Sequence, residues 1–127
     1  MADAKRVGVL VVDDHAELRW VVCEVVAATA RMVVSGQVSS GEAAIEAADR
    51  LKPQLVIMDV HMPGIGGVEA TRRLTRGQPG TVVVLVSVDD VDPEVVRACG
   101  ATAFLRKQRL SPAMLCRVWQ AHTARGR

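Results

Sequence analysis

Five short apolar runs, each followed by a longer segment with helical spacing, constrain this chain more than any other feature of its sequence. The runs are Val7 to Val12, Met32 to Val38, Leu55 to Met58, Val82 to Val86 and Ala103 to Leu105. Most are too short for a helix and too uniformly apolar for a strand with one wet face, so they read as strands covered on both sides. Helix patterns follow them at Ala16 to Ala30, Ser40 to Leu51, Gly67 to Arg76, Pro93 to Cys99 and Pro112 to Thr123. Parallel strands need a crossover, usually helical, and five βα units in succession supply it each time. The expected fold is therefore α/β, a doubly wound five-stranded parallel sheet with helices on both faces. Helix starts are marked by the capping-box spacing of Ser39 with Glu42, and by Ser111 preceding Pro112. By length, residues 1–127 make one domain.

The ends of the runs carry the chemistry. In an open α/β sheet, ligands bind beyond the carboxyl ends of the strands. The first run ends at Asp13 and Asp14, the third at Asp59, the fourth at Ser87, and the fifth just before Lys107. Three carboxylates, a hydroxyl and an ammonium thus converge on one edge. A carboxylate at the tip of a core strand is costly unless something pairs with it, and crowded carboxylates call for a hard divalent cation with oxygen ligands. Mg²⁺ suits such a site because it keeps waters and accepts phosphate oxygens beside one or two carboxylates. Lys107 adds a point charge for a phosphoryl group, and Ser87 a hydroxyl donor. The set fits transfer of a phosphoryl group onto a carboxylate nucleophile by positioning and charge neutralisation.

Composition narrows the partners. The formal net charge of +2 gives no electrostatic case for nucleic acid or an anionic membrane. Three widely spaced cysteines, Cys23, Cys99 and Cys116, fall within helix patterns and read as reduced thiols, not as a disulfide framework. No signal-peptide pattern opens the sequence and no apolar run reaches membrane-spanning length, so a cytoplasmic location is expected. A small basic tail occupies Arg125 to Arg127. The histidines His15, His61 and His122 lie too far apart in sequence for a zinc site and read as surface residues. GIGG at Gly64 to Gly67 lacks the last glycine of a phosphate-cradling GxGxxG loop, since Glu69 stands there. On the first helix, if Leu18, Val22 and Val25 face the core, then Trp20, Cys23 and Ala27 face outward, and an exposed tryptophan suits a contact surface.

Four segments, VVDDH at residues 11–15, MDVHMPGIGGVEATRRL at 58–74, LVS at 85–87 and GATAFLRK at 100–107, occur in the order and near the spacing of a known family. Through them the chain resembles, over essentially its whole length, the receiver domain of two-component response regulators, of the LuxR/NarL-type subgroup with a CheY-like fold. The resemblance implies that Asp59 is the phosphoacceptor, that Asp14 binds Mg²⁺ directly and Asp13 through water, and that the backbone carbonyl of His61 completes the protein ligands. It also implies that Ser87 and Phe104 form a switch pair and that Lys107 contacts the phosphoryl group. A sensor histidine kinase is the implied phosphodonor, docking near the first helix. A phosphorylation-dependent homodimer and control of transcription are the implied outputs.

The chain departs from that pattern at Val88, where a small residue is usual, at Gln108 in place of proline, at Gly66 in place of a helix-capping acid, and in a fourth helix shortened by about two residues. These bear on signalling more than on phosphorylation. Two other readings follow from the residues: a degenerate receiver-like interaction domain with little or no phosphorylation, and a metal-dependent aspartyl phosphohydrolase. The second conflicts with the adjacent Asp13 and Asp14, because such enzymes carry a DxD nucleophile on the first strand. Five βα units leave no room for an output domain within residues 1–127, so any DNA binding would come from an appended domain.

Overall fold

The computed structural model describes residues 6–125. The expected tail at Arg125 to Arg127 lies outside them apart from the backbone of Arg125. Five strands, β1 (Val7–Val12), β2 (Met32–Val38), β3 (Leu55–Asp59), β4 (Val82–Ser87) and β5 (Ala103–Arg106), alternate with α1 (Ala16–Ala27), α2 (Gly41–Leu51), α3 (Gly66–Gly77), α4 (Pro93–Ala98) and α5 (Pro112–Arg125). All strands are parallel, as the alternation of the sequence leads one to expect, and they lie in the order β2-β1-β3-β4-β5. β3 is buried at every residue and β4 likewise, which is why both read as unbroken apolar runs.

The pleat divides the core in two. Val9 and Val11 of β1, Leu55 and Ile57 of β3, and Val82, Val84 and Val86 of β4 pack with Val22, Val26 and Leu115 on the α1 and α5 side. Their alternates Leu10, Val12, Val56, Met58, Val83 and Leu85 pack with Ala44, Ala47, Ala48, Ala70 and Leu74 on the α2 and α3 side. Small alanines on α2 let it lie close to the sheet.

Three local expectations are corrected. The cap of α2 is Ser40, whose Oγ accepts from the Ala43 amide at 3.1 Å, not Ser39; Glu42 instead accepts from the Ile65 amide at 3.3 Å. Helix α1 ends at Ala27 and its inward face is Val22 and Val26, while Leu18 is exposed. Cys23, expected to face outward, packs partly against the core. Trp20 is 63% exposed, as the outward reading requires. Ser111 caps α5 through the Met114 amide, as its sequence position indicates. Helix α4 spans six residues with none fully buried, so the short segment is a weakly anchored one.

Candidate functional site at the carboxyl edge of the sheet

The strand order reverses direction between β1 and β3, and the crevice at that point opens beyond their carboxyl ends. β1 delivers Asp13 there, the following turn delivers Asp14, and β3 delivers Asp59 as its last residue. One ligand atom from each of Asp13, Asp14, Asp59 and His15 lies within 4.8 Å of all the others. The side chains of Asp13 and Asp59 are 2% and 4% exposed. Lys107, one residue past β5, places its Nζ 3.1 Å from Asp13 Oδ2 and 3.3 Å from Asp59 Oδ1. The sheet therefore brings together the three expected carboxylates and the expected ammonium, drawn from three strands.

Charge in this cluster is out of balance. Burial pushes the Asp59 carboxyl above the usual carboxylate range; the Lys107 charge opposes that, and Asp13 and Asp14 reinforce it. Burial pulls the Lys107 ammonium down, but its hydrogen bond to Asp13 and the negative charges of Asp59 and Asp13 outweigh it, so it lies above the ordinary lysine value. Asp14 Oδ1 is buried and makes no hydrogen bond among the described residues. An orphaned buried carboxylate oxygen beside two more carboxylates is the donor set a hard divalent cation takes, so these residues fit such an ion.

The surrounding chain fixes the cluster. Asp13 Oδ1 accepts from the His15 amide at 2.9 Å, and Arg19 Nη1 donates to the Asp13 carbonyl at 2.8 Å while its Nε donates to Gln37 on β2. On β3, the tip is clamped by α3. A Cβ at Gly67 would fall 2.0 Å from the Asp59 carbonyl oxygen, and the Gly67 amide donates to the Val60 carbonyl, so the helix start sits against the strand end only because residue 67 has no side chain. Gly64 and Gly66 take positive φ of 83° and 77°, which accounts for the glycines of GIGG without any phosphate cradle. Helix α3 begins without a side-chain cap, consistent with Gly66 standing where an acid is usual.

Ser87 is fully buried at the end of β4, and its Oγ accepts from the Asp89 amide at 3.2 Å. The Val88 carbonyl takes bonds from Arg106 Nη2 at 3.1 Å and Gln108 Nε2 at 3.4 Å, tying the loop after β4 to the end of β5. Phe104 is half-buried and borders two surface cavities of about 360 and 410 Å³. His61 is exposed two residues beyond Asp59. His122 packs on Trp119 with ring centroids 5.7 Å apart, away from the cluster.

Sequence reasoning missed three residues. His15, read as a surface residue, has an exposed ring, yet its Nδ1 lies 3.1 Å from Asp14 Oδ1 and 3.6 Å from Asp13 Oδ1. Its adjacency to Asp14 was the available signal. Arg19 sits one helical turn beyond His15, which would have placed it over the same loop, whereas the reach of Glu42 to the loop after β3 crosses 23 residues and leaves no local sign.

A response regulator receiver domain model matches residues 9–118. Response regulator GacA of Pseudomonas aeruginosa is 45% identical over 103 residues, covering 80% of this chain and 48% of that protein. The nitrate/nitrite response regulator protein NarL of Escherichia coli is 32% identical over 123 residues, covering 95% of this chain and 57% of that protein. The chain thus spans about half the length of the curated relatives it matches. Among solved structures, the response regulator domain of Thermotoga maritima CheB matches at a TM-score of 0.82 with 29% identity, covering 92% of this chain and 96% of that one. The signal receiver domain of Mycobacterium tuberculosis NarL matches at a TM-score of 0.77 with 28% identity, covering 91% and 98%.

Proposed function

The chain belongs to the response regulator receiver domain family, and from that premise we propose that it accepts a phosphoryl group on Asp59 from the phosphohistidine of a sensor kinase. Receiver domains are signalling domains, so the covalent change is the message and not a step toward a released product. The observation that carries the reading is the pairing of a buried carboxylate at a strand tip with Lys107, in a cluster that retains a buried carboxylate oxygen without a hydrogen bond.

Asp59 supplies a carboxylate oxygen that forms the new P–O bond as the P–N bond to the donor imidazole breaks. Its placement on a fully buried strand restricts it to one orientation, which lowers the entropic part of the barrier. Lys107, already 3.3 Å from Asp59, neutralises charge on the incoming phosphoryl oxygens. A divalent cation such as Mg²⁺, held by Asp13, Asp14, Asp59 and the His61 backbone carbonyl, would supply further charge neutralisation. Arg19 holds the Asp13 carbonyl and so keeps the first acid in register with β3.

For the output, the Ser87 hydroxyl would leave the Asp89 amide to donate to a phosphoryl oxygen, and Phe104 would move between the cavities it borders. The exposed apolar face of α1, with Leu18, Trp20 and Val21, suits the kinase contact. Residues 1–127 would work as the receiver alone, with a cytoplasmic role, a phosphorylation-dependent homodimer, and any action on DNA through an appended domain. No helix among the described residues is long and apolar enough to cross a membrane.

Incubation with acetyl phosphate and Mg²⁺, followed by mass spectrometry of borohydride-trapped peptides, tests the assignment. Incorporation at Asp59 that disappears in Asp59→Asn is expected. Equal labelling of that variant refutes it.

A further inference from the structure

We propose that the His15 imidazole is an additional protein ligand in the acidic cluster and sets its choice of cation, favouring first-row ions that accept nitrogen donors over Mg²⁺. The inference rests on the reading of Asp13, Asp14 and Asp59 as a cation site. It starts from a spacing. With metal–ligand bonds of about 2.1 Å, neighbouring ligands of an octahedral ion lie about 3.0 Å apart, and those of a tetrahedral ion about 3.4 Å. His15 Nδ1 is 3.1 Å from Asp14 Oδ1 and 3.6 Å from Asp13 Oδ1, so the ring nitrogen already stands at coordination-edge distance from two of the acids. Asp14 Oδ1 is also the buried oxygen without a hydrogen bond: at 3.1 Å from the ring nitrogen it still lacks bonding geometry to it. His15 Nδ1 and Asp14 Oδ1 are in ion-pair contact without a hydrogen bond between them, a pairing that a cation with both as ligands would replace.

Donor chemistry gives the direction of the preference. Carboxylates, carbonyls and water suit Mg²⁺, whereas imidazole suits the later first-row ions. A cluster of oxygens with one imidazole nitrogen therefore gains affinity for those ions from a group that adds little for Mg²⁺. The backbone keeps the ring in place, because the His15 amide donates to Asp13 Oδ1 and the residue opens α1. The side chain itself makes no capping hydrogen bond to the helix, so truncating it leaves the start of α1 intact.

The test is a calorimetric titration of the protein with Co²⁺ and separately with Mg²⁺, comparing the original chain with His15→Ala and Asp14→Asn. Co²⁺ is chosen because its visible spectrum separates nitrogen and oxygen coordination from thiolate binding at Cys23 or Cys116. His15→Ala is expected to weaken Co²⁺ by about tenfold or more while changing Mg²⁺ by less than about threefold. Paramagnetic broadening should reach the His15 ring signals but spare those of His122, which packs on Trp119 away from the cluster. Equal changes for the two ions, no change for Co²⁺, or an unbroadened His15 ring would overturn the inference. Asp14→Asn separates the two levels: if it weakens both ions, the acidic cluster is a cation site whatever His15 does, and if it weakens neither, the underlying reading fails.

Discussion

Removing the charge of Asp59 should stabilise the cation-free protein. In Asp59→Asn the buried side chain keeps its size and can still accept from Lys107, but it no longer repels Asp13 and Asp14. At the outer separation of 4.8 Å, each repulsion is about 3.5 kcal/mol with an effective dielectric of about 20, and the attraction to Lys107 at 3.3 Å is about 5 kcal/mol. The repulsions exceed the attraction, and the burial of the charge adds to the cost. Allowing for the solvent exposure of Asp14, the variant should gain on the order of 1–2 kcal/mol, a rise in melting midpoint of about 5 °C for a domain of this size. The gain depends on pH in a defined way. The folded-state pKa of Asp59 is raised, so its contribution to stability is complete below about pH 4 and is lost as pH rises through the folded value. The two proteins should therefore converge in acid and separate toward neutrality. Urea denaturation in chelator at pH 4 and pH 7 measures both limits. Adding Mg²⁺ at about ten times its dissociation constant should return about 1.4 kcal/mol to the original chain and less to the variant. A variant no more stable than the original at pH 7, or an advantage that grows toward acid, would refute this account of the pocket.

Lys107→Met leaves Asp13 and Asp59 buried without their counter-charge and should cost about 3 kcal/mol in chelator at pH 7, read by urea denaturation. Because the folded pKa of Lys107 is raised, its contribution is complete below about pH 10 and is lost as pH rises through the folded value, so the penalty should shrink only in strong alkali. Gly67→Ala drives a methyl group into the Asp59 carbonyl and should destabilise the fold by about 3 kcal/mol or more, with phosphate incorporation falling in parallel. Val88→Ala trims a half-exposed side chain next to Ser87 and should speed labelling by acetyl phosphate, loss of the label, or both, by about two- to tenfold, a barrier change of about 1 kcal/mol. Unchanged rates in both directions would show that the side chain does not restrict access to Asp59.

The parallel sheet, its two-sided core and the convergence of Asp13, Asp14, Asp59 and Lys107 were legible in the sequence for one reason: parallel βα units put every strand's carboxyl end on the same edge, whereas the order β2-β1-β3-β4-β5 is set by tertiary packing. A residue's place at the end of a run then fixes its position in space before any contact is known. The same logic fails where side chains reach sideways. Glu42 stands three residues after Ser39, but the helix starts one residue later, at the Ser40 cap, which takes Glu42 out of the capping-box position and leaves its carboxylate for the Ile65 amide across the close α2–α3 contact. Leu18 belongs to an apolar stripe by period but is exposed, since α1 meets the sheet along Val22 and Val26. His15 is exposed as its surface reading expects, but its neighbours were not legible. Its sequence spacing to the other histidines excluded a zinc motif, but the partners that matter are carboxylates, one of them 44 residues away on another strand. Metal-ligand spacing rules describe sites built within one segment. This cluster is built by the sheet, so the relevant spacing is between strand ends, and on that measure His15 follows Asp13 and Asp14 directly and brings a ring nitrogen within 4.8 Å of an Asp59 oxygen.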